Sequence, residues 1–224
     1  MNFDVTKITT LLFDLDGTLI DSTADIASSV NALRVSLGLP TLAQDTVASY
    51  VGDGVDALVR RVLDKQEVAD EVEAFKLHYH EHCVDQTRCY AGVEETLRVL
   101  HVLGYKMAVV TNKPERISKH ILERLGLGKI FGSVIGGNSA EHKKPHPAPL
   151  FKACAELGSS PALACMIGDS RVDMEAGHNA GMPSLGLLGG IGDEALLRRS
   201  GPALILESFS ELTRHFKGQH EDRH

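Results

Sequence analysis

Thr9-Thr10-Leu11-Leu12-Phe13-Asp14-Leu15-Asp16-Gly17-Thr18-Leu19 is the stretch from which the fold can be read. Thr9–Leu15 is a short apolar run that halts at Asp16-Gly17-Thr18, so it reads as a buried strand ending in a turn. Asp14 and Asp16 stand two residues apart at that end. Side-chain alternation along a strand lets both point to the same side, and Gly17 lets the backbone approach a ligand closely.

Downstream the period changes. Ser22, with Asp25 three residues on, reads as a capping box. Ile26, Val30, Leu33 and Leu37 then recur at helical spacing until Gly38 and Pro40 stop them. More helix is predicted around 44–51, 54–64 and 67–86, broken by Gly52-Asp53-Gly54, and no strand pattern occurs between about 21 and 87. A helical block is therefore inserted after the first strand.

Beyond Gly92 strands and helices alternate. The pattern predicts strands at Tyr105–Val110, Ser133–Ile135, Leu163–Ile167, Ser184–Leu187 and Ala203–Leu206, with helices between them. This order implies an α/β fold with a mainly parallel sheet covered on both faces and active-site loops at the carboxyl ends of the strands. The tail Gly218–His224 is polar and expected to fray.

Polar clusters follow the apolar strands. Thr111-Asn112-Lys113 offers a hydroxyl and backbone amides to a phosphate oxygen. Lys143-Lys144-Pro145 offers an ammonium that can neutralise a transferring phosphoryl group. Gly168-Asp169-Ser170 with Asp173 supplies the hard oxygen ligands that Mg²⁺ requires. With Mg²⁺ present, one carboxylate of the Asp14/Asp16 pair can serve as ligand and nucleophile while the other moves a proton.

Composition narrows the class. The chain has 224 residues, 43% of them hydrophobic, and a formal net charge of −7, which opposes nucleic-acid binding. No apolar run of about 18 residues can span a bilayer, and Met1–Thr10 has no basic leader, so a cytoplasmic protein with no membrane partner is expected. Cys83, Cys89, Cys154 and Cys165 lack CxxC spacing and read as reduced thiols. His78 and His82 share a helix face that reads as solvated.

Taken together, Asp14-Leu15-Asp16-Gly17-Thr18-Leu19, Thr111, Lys144 and Gly168-Asp169-Ser170 with Asp173 resemble the signature of the haloacid dehalogenase superfamily. That resemblance implies a Rossmann-like core from residues 1–20 and 88–224, a helical cap from 21–87, and a phospho-aspartyl intermediate. It also implies one Mg²⁺ held by Asp14, Asp169 and the backbone carbonyl of Asp16, with Asp173 direct or through water. By the same resemblance Asp14 attacks phosphorus, and Asp16 protonates the leaving alkoxide and then activates water. Thr111, Asn112 and Lys144 hold the phosphoryl oxygens, with Gly17 and Thr18 on the substrate side.

Within the superfamily, Asp14–Ser22, Tyr50–Gly54, Met107–Pro114 and Lys144-Pro145 are similar to bacterial phosphoglycolate phosphatases. This implies a small phosphorylated metabolite, 2-phosphoglycolate, as substrate and a monomer or homodimer as the working form. Gly52, Asp53 and Gly54 would lean over the site and offer backbone N–H groups to the substrate; a carboxylate at Asp53 repels the substrate's own unless it points away. The alternatives are another small phosphate (a sugar phosphate, a nucleotide, pyrophosphate, muramic acid phosphate), a phosphomutase, or a non-catalytic binding homologue. The last is expected to lack one of Asp14, Asp16, Lys144 or Asp169, and all four are present.

Overall fold

The structure is a computed structural model that describes residues 4–217, so the tail expected to fray lies outside the described residues. After β1 (Thr10–Phe13) and a two-residue strand β2 (Ile20–Asp21) come four helices: α1 (Thr23–Ser36), α2 (Gln44–Ala48), α3 (Val55–Leu63) and α4 (Ala69–His82). A second two-residue strand, β3 (Arg88–Cys89), closes this segment by pairing antiparallel with β2, Ile20 opposite Cys89 and Asp21 opposite Arg88. The chain therefore leaves and rejoins the sheet side at adjacent points.

The rest alternates as expected: α5 (Val93–Val102), β4 (Lys106–Val110), α6 (Glu115–Arg124), β5 (Ser133–Ile135), α7 (Ala148–Glu156) and β6 (Ala164–Gly168). Then come α8 (Arg171–Asn179), β7 (Ser184–Leu187), α9 (Glu194–Arg199), β8 (Leu204–Leu206) and α10 (Glu211–Lys217). The main sheet has the order β5-β4-β1-β6-β7-β8, and each neighbouring pair is parallel. Thr10 lies opposite Lys106 on one side and Ala164 on the other, which puts β1 where the strand order reverses. In open α/β sheets the ligand crevice forms at that switch point, at the strands' carboxyl ends.

Alternation along the strands builds two cores. Leu11, Phe13, Met107, Val109, Cys165 and Ile167 join a cluster that includes Leu97 and Leu100 of α5 and Ile121 of α6. Leu12, Ala108, Val110, Ala164 and Met166 face the other way, onto Leu150 and Ala153 of α7 and Ala176 of α8. The first cluster continues into the helical segment through Val30, Val59, Val72 and Phe75, so that segment shares apolar packing with the sheet side. No helix among the described residues is long and apolar enough to cross a membrane.

The start of α1 differs from the sequence expectation. Ser22 makes no side-chain cap; its hydroxyl donates instead to Asp16 Oδ1 at 2.5 Å. The buried Asp25 accepts from the Gln86 and Thr87 backbone N–H groups and the Thr87 hydroxyl at 2.8 to 3.0 Å, tying the entry of the segment to its exit.

Candidate active site

Asp14 and Asp16 follow β1 directly, and the Asp14 N–H donates to the Ile167 carbonyl at 2.9 Å, extending the β1–β6 pairing one residue past the strand. Both aspartates line a cavity of about 60 Å³. Thr111, Asn112 and Lys113, at the end of β4, share its core side, while Gly52, Gly54 and Tyr79 reach it from the helical segment. Asn112 joins the two sides: its Nδ2 donates to the Gly52 carbonyl at 2.9 Å and to the Lys144 carbonyl at 3.0 Å.

Behind Asp14 lies a buried charge cluster. Lys144 Nζ sits 2.6 Å from Asp173 Oδ1 and 3.0 Å from Asp14 Oδ1, the second an ion-pair contact whose angle leaves that oxygen without a hydrogen bond. Lys143, by contrast, is partly exposed and lies 4.0 Å from Asp56. Asp169 is held at both oxygens: Oδ1 accepts from the Thr18 hydroxyl at 2.9 Å, and Oδ2 from the Ile191 and Gly192 N–H groups at 2.8 and 2.9 Å. Asp173 Oδ2 accepts from the Ser170 N–H and hydroxyl, fixing the start of α8.

Three carboxylates gather here with one ammonium, which pairs with Asp14 and Asp173 only, so the cluster is short of positive charge. Burial, then the neighbouring Asp173, push the Asp14 carboxyl up to about 7, against the pull of Lys144. Burial and Asp173 also push Asp169 up to about 6, with the Gly192 N–H and Thr18 hydroxyl opposing. Burial works against the charge on Lys144, yet Asp14 and Asp173 hold it above the ordinary lysine value.

This donor set fits Mg²⁺. Asp14, Asp169 and Asp173 each present an oxygen within 4.8 Å of the others, the only such group of three among the described residues. One of those carboxylates, Asp14, also carries the buried oxygen without a hydrogen bond. A small hard cation takes oxygen ligands of this kind. The Asp16 carboxylate is not in the group; of the four residues expected at the metal, Asp16 has only its backbone carbonyl left to offer.

Residues 11–187 match the family model for haloacid dehalogenase-like hydrolases. The chain belongs to that family. It is 37% identical to the phosphoglycolate phosphatase of Haemophilus influenzae over 211 residues, covering 89% of this chain and 94% of that one. With the phosphoglycolate phosphatase of Aquifex aeolicus it shares 43% identity over 171 residues, 76% of this chain and 80% of the relative. A crystal structure described as a predicted phosphoglycolate phosphatase from Haemophilus somnus superposes with a TM-score of 0.85 at 33% identity, covering 93% and 97% of the two chains.

In this haloacid dehalogenase-like hydrolase three expected substrate contacts fall elsewhere. Thr18 is fully buried and serves Asp169 rather than the cavity. Gly17 also backs Asp169: at φ +85°, an added Cβ would lie 2.1 Å from Asp169 Oδ2. The Asp53 side chain points outward to Arg61, Oδ2 to Nη2 2.5 Å, leaving Gly52 and Gly54 as the turn's contribution to the cavity wall. The His78 and His82 rings lie tilted against each other with centroids 4.5 Å apart, and hydrogen-bond to Ser29 and Asp85 respectively.

Other residues of the hydrolase's site were not singled out from the sequence. Lys113 closes on the Asp16 carboxylate with Nζ 2.6 and 2.8 Å from its two oxygens. The Gly189-Gly190-Ile191-Gly192 loop after β7 wraps Asp169 so tightly that a Cβ on Gly190 would meet Asp169 Oδ2 at 2.4 Å. Three glycines in four residues at another strand end were the available signal.

Proposed function

We propose that the protein is a Mg²⁺-dependent phosphatase of small phosphomonoesters, 2-phosphoglycolate foremost, working through an aspartyl phosphate on Asp14. The observation that carries this reading is the pairing of Asp14 and Asp16 on one small cavity, with Asp14 backed by Lys144, Asp169 and Asp173. Relatives that bear the name phosphoglycolate phosphatase support the substrate, as does a cavity with room for little more than a few waters.

Residues 21–87 act as a cap over a core formed by 1–20 and 88–224, with the β2–β3 ribbon as its neck and Asn112 meeting Gly52 on closure. Asp14, Asp169 and the Asp16 carbonyl would hold Mg²⁺, with Asp173 direct or through water, and the ion would supply positive charge to the phosphoryl oxygens. An Asp14 oxygen attacks phosphorus, the ester P–O bond breaks, and Asp16 gives its proton to the leaving oxygen. Asp16 then takes a proton from water as that water attacks phosphorus, the Asp14–phosphoryl bond breaks, and free phosphate leaves. Thr111, Asn112 and Lys144 orient and neutralise the group in transfer.

The test is phosphate release from 2-phosphoglycolate beside sugar phosphates, nucleotides and pyrophosphate, with Mg²⁺ and with EDTA. The expected result is Mg²⁺-dependent turnover with the highest kcat/KM on 2-phosphoglycolate. Equal turnover in EDTA, or a preference for a nucleotide, would overturn the reading.

A further inference from the structure

Lys113 is the one cation among the described residues lining the cavity, and its charge is already engaged by Asp16. On its other side the same Nζ lies 4.9 Å from the ring centroid of Tyr79, which comes from α4. Tyr79 is 2% exposed and lines the cavity, and its hydroxyl has no hydrogen-bond acceptor. The lysine ammonium can only donate, so the Tyr79 O–H proton finds nothing on this chain to receive it. A buried donor left in that state costs free energy and marks a place for an acceptor from outside.

Asp16 has the complementary problem. While both its oxygens face Lys113, and Oδ1 also accepts from Ser22, its carboxyl is not free to serve an ester oxygen. A carboxylate supplied by the substrate solves both problems at once. In 2-phosphoglycolate one CH₂ separates the ester oxygen from the carboxylate, so a substrate whose ester oxygen lies at Asp16 carries its own anion to the neighbouring ammonium. Thr111 and Asn112 on the same wall serve the phosphoryl group. Beyond the Gly52 and Gly54 backbone the wall is apolar, with Val51, Val55, Leu58 and Phe75, so Lys113 is the one cation there for a carboxylate.

We propose that Lys113 and Tyr79 form the carboxylate-recognition site, selecting phosphate esters of small 2-hydroxy acids. The substrate's carboxylate replaces Asp16 on Lys113 and accepts the Tyr79 O–H, and Asp16, freed from the ammonium, takes up a proton from solvent and serves the ester oxygen as its acid. Selectivity and release of the acid are one event. An ester lacking the carboxylate leaves Asp16 held. The proposal rests on the phosphatase reading above and extends it to how the substrate class is chosen.

The experiment compares 2-phosphoglycolate with ethyl phosphate, which has the same carbon count and no carboxylate, on the wild type, Lys113→Met and Tyr79→Phe, all with Mg²⁺. The wild type should prefer 2-phosphoglycolate by roughly 100-fold or more in kcat/KM. Lys113→Met should remove most of that preference, and Tyr79→Phe should reduce it about 10-fold, mainly through KM. A purely structural role would lower both esters together and leave the ratio standing, which would overturn the site. Tyr79→Phe deletes only a hydroxyl with no acceptor, so it carries the test should Lys113→Met fail to fold. A wild type that cleaves neither ester would sink the phosphatase reading itself; one that cleaves both without preference would sink the Lys113–Tyr79 site alone.

Discussion

Lys144 Nζ lies 2.6 Å from Asp173 Oδ1, and neither side chain is exposed by more than 2%. An ion pair this far from water contributes less by its own attraction than its loss would cost, because the surviving partner keeps its charge in an apolar setting. Lys144→Met should therefore destabilise the metal-free protein by about 3 to 5 kcal/mol in urea unfolding. Asp173→Asn should cost less, since Lys144 retains Asp14 at 3.0 Å. Equal losses from the two variants would contradict this ordering.

Asp14 and Asp169 make metal binding depend on pH. Their folded-state carboxyls titrate near 7 and near 6, above the ordinary 3.8. An acid whose value is raised on folding favours the folded state below its unfolded value and loses that advantage as pH rises through the folded one. These two groups should thus cost the metal-free protein stability between about pH 4 and 7. Mg²⁺ reverses the trend by replacing their protons. Its upward shift of Tm should be largest near pH 8 and small near pH 5, with protons released in calorimetric titrations across buffers of different ionisation enthalpy.

Asp14→Asn separates chemistry from folding. It removes the proposed nucleophile, so turnover with Mg²⁺ should fall by at least about a thousandfold. It also removes a carboxylate that burial and Asp173 disfavour, so the metal-free variant should melt at or above the wild-type temperature at pH 8. A lower Tm together with retained activity would contradict both halves of the argument.

Gly190→Ala places a methyl group 2.4 Å from Asp169 Oδ2 and 2.3 Å from the Gly17 carbonyl. No rotamer relieves a Cβ, so Asp169 or the loop must shift. Mg²⁺ affinity, read by titration calorimetry, should fall roughly 10- to 100-fold, as it does when the groups that orient a metal ligand are disturbed.

Asp53→Asn should be nearly silent. Its partner Arg61 is 41% exposed and Asp53 itself 43%, and exposed pairs contribute about 0 to 1 kcal/mol. Unfolding free energy should move by no more than about 1 kcal/mol and kcat/KM for 2-phosphoglycolate by no more than about fivefold.

The strands and helices of the sheet were legible because each buried run changes period at a turn residue, as at Asp16-Gly17 and Gly126. The carboxylates Asp14 and Asp169 were legible because each directly follows a strand, where chemistry gathers, and Asp173 because it lies in the first turn of the helix that follows Asp169. What stayed hidden depends on partners distant in sequence. The β2–β3 pair is too short for any period, and the Asp25 bonds reach 61 and 62 residues ahead. Ser22 and Asp25 fit a local capping box, but each hydrogen-bonds elsewhere, and tertiary partners override local propensity. Lys113 was visible only as part of a polar run; nothing nearby in sequence announces Asp16, 97 residues away.

The narrow ribbon between Ile20–Asp21 and Arg88–Cys89 has a consequence for how such proteins diversify. Departure and return are adjacent, so a change of length in the intervening helices need not move β1 relative to its neighbours so long as the apolar packing around Val30, Val59, Val72 and Phe75 is kept. Selection can then rework what the wall over Asp14 admits while the sheet that positions Asp14 is inherited unchanged. Grafts made at those two strands test that separability directly: a chimaera should keep its Mg²⁺ site and acquire the ester preference of the donor.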